Sequence, residues 1–108
     1  MALSRHRESL VIRQTLGAKR GFVYSLEGLA MVYRGLGRPV VASHLWGASQ
    51  AMRDAMGAPV PPNERARYKR EMDMLRAQSG DEGFEHAYAE GYAMTNEQAM
   101  SEAFGEAS

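Results

Sequence analysis

The apolar residues of this 108-residue chain fall into runs spaced three and four positions apart. That spacing keeps side chains on one face of a helix, so the pattern predicts six helices and no strand. The first spans about Leu3 to Leu16 and stops at Gly17. The second runs from Gly21 to Leu36, with Phe22, Leu26, Leu29, Ala30, Tyr33 and Leu36 on its stripe and Gly37 as its stop. The third opens at Pro39, where a missing N–H removes no helical bond. It carries Val41, Leu45, Ala48, Met52 and Met56 on one face and Ala42, Trp46 and Ser49 on another. Two apolar faces predict a helix held between neighbours. Gly57 to Pro62 is a rigid break, because each proline fixes φ. The fourth helix runs from Pro62 or Asn63 to Gln78, on a narrow stripe of Tyr68, Met72 and Leu75. Asp81 is expected to cap the fifth, whose face is Phe84, Tyr88 and Tyr92. Thr95 with Gln98 three residues later predicts a capping box for the sixth, which bears Met100 and Phe104 before Gly105.

The stretch Leu26 to Met56 resembles a degenerate tetratricopeptide repeat. The repeat signature places W-x2-L-G-x2-Y before A-x3-F and P. Here Leu26, Leu29, Ala30 and Tyr33 are followed by Ala42, Trp46 and a late Pro59, so Leu, Ala and Trp stand for Trp, Gly and Phe. An internal echo has a repeat-like offset: Ser9, Arg13, Gly17 and Ala18 recur 40 residues later as Ser49, Arg53, Gly57 and Ala58. The expected fold is all-α, with tetratricopeptide-like helical hairpin repeats and about six helices. It forms one domain over 1–108, with degenerate repeat helices over 1–57 and a three-helix cap over 61–105. The first helix then lacks its hairpin partner, and Leu3, Leu10 and Val11 become an uncovered face. Methionine adapts to partner surfaces, which adds Met52, Met56, Met72 and Met74 as candidate partner-binding positions.

Composition changes this picture in three ways. No cysteine is present, which excludes disulfides and thiolate metal sites. The longest uncharged run, Pro39 to Met52, is too short and polar to cross a bilayer, and no secretory signal opens the chain, so a cytoplasmic protein is expected. The net charge is zero, but residues 1–70 hold twelve Lys and Arg against four Asp and Glu, while residues 71–108 hold one against nine. Such segregation admits three readings: neutralisation within the fold, pairing between chains, or a basic front facing nucleic acid.

The chemistry-bearing residues have plainer readings beside the functional ones. Glu82, His86 and Glu90 share a helix face, as metal ligands can. Gly83 occupies the place a Glu-x-x-His pair requires, so a solvated, ion-paired face is the expectation. His44 has no carboxylate near it in sequence and reads as a partly buried structural histidine. His6, between Arg5 and Arg7, reads as exposed. Arg65, Arg67, Lys69 and Arg70 interleave with Glu64, Glu71 and Asp73, which favours Arg67–Glu71 and Lys69–Asp73 pairs over a phosphate-binding patch. No nucleophile–base set and no phosphate loop is visible, so the expected role is non-enzymatic, with no cofactor and no metal.

A wider resemblance rests on Leu26-Glu27-Gly28-Leu29-Ala30, Gly37-Arg38-Pro39, Leu45-Trp46-Gly47-Ala48, Met52 to Pro59, Pro61 to Tyr68 and Phe84 to Gly91. Together these segments are similar to the C-terminal tetratricopeptide-repeat tail of bacterial LuxR-type and related signalling ATPase transcriptional regulators. The resemblance implies a protein–protein interaction or assembly arm, either a homodimer or a contact with an upstream regulator domain. Two other functions stay open from the residues alone: a nucleic-acid-binding accessory protein using the basic 1–70 region, and a small-molecule sensor.

Overall fold

A computed structural model describes residues 19–104. The expected first helix, with Leu3, Leu10 and Val11, and the residues that carry the first half of the 40-residue echo lie outside the described residues. Within them the chain is all-α. Helix α1 spans Lys19–Gly35, α2 Pro39–Met56, α3 Arg65–Ser79, α4 Asp81–Tyr92 and α5 Asn96–Ala103, with a single 3-10 turn at Pro62–Glu64 before α3.

Both long helices end as their glycines dictate. Gly37 and Gly57 adopt φ of 74° and 63°, a region that penalises any side chain with a Cβ. Past Gly37, Arg38 N–H donates to Tyr33 O at 2.9 Å; past Gly57, Ala58 N–H donates to Arg53 O at 2.9 Å. Each is a Schellman closure that satisfies the last carbonyls. Leu36 falls in the first of these turns, so it leaves the stripe expected for it and is 59% exposed. Helix α4 begins at Asp81 itself, with Gly80 in the cap position and no side-chain cap. Asp81 therefore acts through its charge in the first turn, beside Glu82, where the positive end of the helix dipole favours carboxylates. The capping box of α5 forms as expected: Thr95 Oγ1 accepts from Gln98 N–H, and Gln98 Oε1 accepts from Thr95 N–H.

Helix α2 is the hub. It packs on α1 along one side and on α4 along the other, with α5 and α3 also against it. Leu45 and Ala48 of one predicted face and Ala42, Trp46 and Ser49 of the other are all buried. One hydrophobic core runs from Phe22 to Ala103. The helices of the expected cap thus wrap the hub helix and share its core.

The tightest packing lies at the crossing of α2 and α4. A Cβ built on Gly91 would sit 2.5 Å from His44 Cα, and one built on Gly47 would sit 2.7 Å from Tyr92 N and closer still to Tyr88 O. The two backbones therefore meet with nothing between them. This contact sets the rotation of α4, which buries Phe84, Ala87 and Gly91 and leaves Tyr88 half-buried. Tyr92, expected on the buried face, is turned outward to 44% exposure.

Candidate interaction surface

Charged side chains tie the helices together at four places, one of them Arg76 of α3 with Glu85 of α4 at 2.6 Å. The deepest joins α1 to α2. Arg53 and Glu27 are 5% and 7% exposed. Arg53 Nε donates to Glu27 Oε2 at 2.9 Å, its Nη2 to Glu27 Oε1 at 3.0 Å, and Ser49 Oγ donates to Glu27 Oε2 at 3.0 Å. Arg53 Nη1 reaches on to the carbonyls of Ala58 and Pro59, so the pair also anchors the proline-rich break. The hydrogen bond to Glu27 raises the Arg53 pKa against the opposing effect of burial. Tyr24 lies over the same guanidinium, 5.4 Å from centroid to Cζ. A cavity of about 280 Å³ beside it is lined by Val23, Tyr24, Met56, Pro59 and Pro61.

The second tie joins α1 to α3: Arg34 Nε donates to Glu71 Oε1 at 2.7 Å. Glu71 is buried and taken by Arg34, so the expected Arg67–Glu71 pair does not form. Arg67 pairs instead with Glu64 at 2.7 Å, while Lys69–Asp73 forms as expected at 3.1 Å.

The third tie gives His44 the partners its sequence neighbourhood lacks. Two carboxylates flank it: Glu102 of α5 at 2.6 Å from Nδ1 and Glu90 of α4 at 3.4 Å from Nε2. Glu90 is also 3.5 Å from His86 Nε2. His44 is half-buried, as expected, and its ring sits between the acids of α4 and α5, with Glu102 the closer. Sequence could not pair them, because 46 and 58 residues separate them from His44.

Above this tie lies an open groove of about 580 Å³, lined by Glu90, Ala93, Met94, Glu97, Gln98, Ser101 and Glu102. Ala93 and Met94 supply apolar surface beside three carboxylates. Helices α4 and α5 carry six Asp and Glu and no Lys or Arg. Glu97 is exposed and has no cationic partner among the described residues. The methionines marked as partner-binding scatter by comparison. Met52 and Met72 pack against the core, Met56 lines the Tyr24 cavity, and Met74 is half-buried on α3.

A polar cluster behind the hub helix stabilises the α2–α4 contact. Tyr68 stacks edge-on against Trp46 with centroids 5.0 Å apart, and its hydroxyl meets Tyr88 at 3.1 Å and Gln50 at 3.2 Å. Burial pushes both tyrosine hydroxyls above their ordinary range. The Trp46 indole N–H is buried without a partner among the described residues. Nearby, Tyr92 donates to Asp54 Oδ2 at 2.6 Å, which holds the Asp54 carboxyl below its usual value, with Gln50 adding to the effect. A depressed carboxyl stabilises the fold above its unfolded-state pKa, and that contribution is lost as pH falls through the lower folded value. Tyr92→Phe is expected to move the Asp54 titration, read by carboxyl carbon NMR, back toward the ordinary aspartate value of about 3.9. An unmoved midpoint would show that the hydroxyl is not its cause.

No protein-family model matches the chain, and no curated protein and no solved structure matches it.

Proposed function

We propose that this chain is a helical protein-interaction module that takes a cationic polypeptide segment in the groove between α4 and α5. The observation that carries the reading is the placement of Glu90, Glu97 and Glu102 beside the apolar surface of Ala93 and Met94. Glu102 lies 2.6 Å from His44 Nδ1. Carboxylates beside apolar surface suit an amphipathic segment, whose Lys or Arg meet the acids while its apolar side chains cover Ala93 and Met94. In a regulator of the kind the sequence resembles, such a segment would belong to a neighbouring domain or to a second copy.

Calorimetric titration with a short peptide alternating lysine and leucine tests this. We expect saturable binding at low salt that weakens as salt screens the carboxylates. Glu97→Gln should weaken it roughly tenfold, the loss of one partly desolvated charge pair. Equal binding by the parent chain and Glu97→Gln, or no binding at low salt, would remove the proposal.

A further inference from the structure

We infer, on the premise that the α4–α5 groove is the interaction site, that its occupant is the basic opening of α3 in a second copy of this chain. Charge complementarity carries the inference. Arg65, Arg67, Lys69 and Arg70 crowd into six residues, and all four are exposed. Arg70 has no carboxylate partner among the described residues, and Arg65 reaches only the Val60 carbonyl, at 3.4 Å. Arg67 and Lys69 have partners, but both pairs are exposed, and such pairs exchange readily because each is worth little. Opposite them in charge stands the groove, lined by Glu90, Glu97 and Glu102 and, among the described residues, by no Lys or Arg.

Within one copy, no Lys or Arg of the basic turn lines the groove. Helix α3 packs on α2 and α4, whereas α5 packs on α2 and α1. Groove against groove would repel, so the favoured contact sets the basic turn of one copy into the groove of the other. The apolar surface of Ala93 and Met94 then receives the aliphatic stems of the arginines, whose guanidinium groups reach the carboxylates.

Sedimentation velocity on the full chain tests this, with two variants at exposed positions, Glu97→Lys and Arg70→Glu. Circular dichroism first establishes that both keep their helices. The parent is expected to associate with rising concentration at low salt and to dissociate at high salt. Each variant alone should associate at least about tenfold more weakly. An equimolar mixture should regain association, because the intact basic turn of one variant meets the intact groove of the other. A parent that stays monomeric at every concentration, variants that associate like the parent, or a mixture no stronger than its parts would each overturn the inference. Peptide binding in the groove alongside a monomeric parent would overturn the second copy as occupant and leave the interaction reading standing; failure of both assays removes both.

Discussion

Replacing Gly91 by alanine is expected to destabilise the fold by about 3 kcal/mol, near the top of the range for overpacked sites. The reason is geometric. The new methyl would fall within 3 Å of three backbone atoms of His44, and backbone cannot swing aside as a flexible side chain can. Helix α4 would have to lift from α2, and the movement would reach Phe84, Ala87 and the His44–Glu90 contact together. Gly47→Ala meets the same obstacle from the other side, at the backbone of Tyr88, Gly91 and Tyr92. Gly83, in the first turn of the same helix, supplies the control. A Cβ there meets only the Ser79 Cβ at 3.5 Å, an ordinary contact. Gly83→Ala should stabilise by about 0.5–1 kcal/mol, because alanine restricts the unfolded chain and favours helix. Chemical denaturation of the three variants followed by circular dichroism should therefore give opposite signs within one helix. Similar effects at Gly83 and Gly91 would contradict the close crossing.

Loss of either partner of the buried Glu27–Arg53 pair is the second large effect. Arg53→Met leaves the Glu27 carboxylate buried with only the Ser49 hydroxyl to satisfy it, and also frees the Ala58 and Pro59 carbonyls. Removing one partner of a buried ion pair costs about 3–5 kcal/mol, because the other charge stays desolvated and uncompensated. Glu27→Leu should be nearly as damaging, since Arg53 then keeps its charge at 5% exposure. The double replacement Glu27→Leu with Arg53→Met should recover much of the loss, as apolar substitutes for buried pairs do. Denaturant unfolding of the two single variants and the double variant forms a complete cycle. Single losses below about 1 kcal/mol would mean that water reaches the pair and screens it.

Much of the helical framework was legible because local rules and the final packing agree. Pro39 opens α2, Gly37 and Gly57 close helices, and Thr95 with Gln98 caps α5. In each case the residues involved lie within a few positions of one another. The stripe Leu26, Leu29, Ala30 and Tyr33 is buried as its period requires, and the two-faced pattern of α2 marks the helix that became the hub. What failed depended on rotation or on distant partners. Tyr92 continues the period of Phe84 and Tyr88, but the backbone contact at Gly91 turns α4 so that Ala87 faces inward instead. A usable signal existed there. Glycine inside a helix costs about 1 kcal/mol relative to alanine, so Gly47 and Gly91 each called for a packing reason.

The charged ties were harder to see. Glu27 sits within a helix whose pattern predicts only an apolar stripe, and its partner lies 26 residues on. Glu71 has a cation four residues before it, yet takes Arg34 from another helix, because burial beside α1 favours the pair that local spacing cannot show. The groove was invisible for the same reason. Glu90 reads as part of a solvated helix face, and Glu97 and Glu102 carry no signal until α4 and α5 are set beside His44. Charge segregation was the one trace of it in the sequence.

The most direct test of the account is to watch where the lysine–leucine peptide lands on the isotope-labelled chain. Amide resonances of Glu90, Ala93, Met94, Glu97, Gln98, Ser101 and Glu102 are predicted to shift together and to saturate at one concentration, while those of Val23, Tyr24, Met56 and Pro59's neighbours stay in place. Shifts centred on the Tyr24 cavity, or spread evenly over every acidic residue, would contradict it.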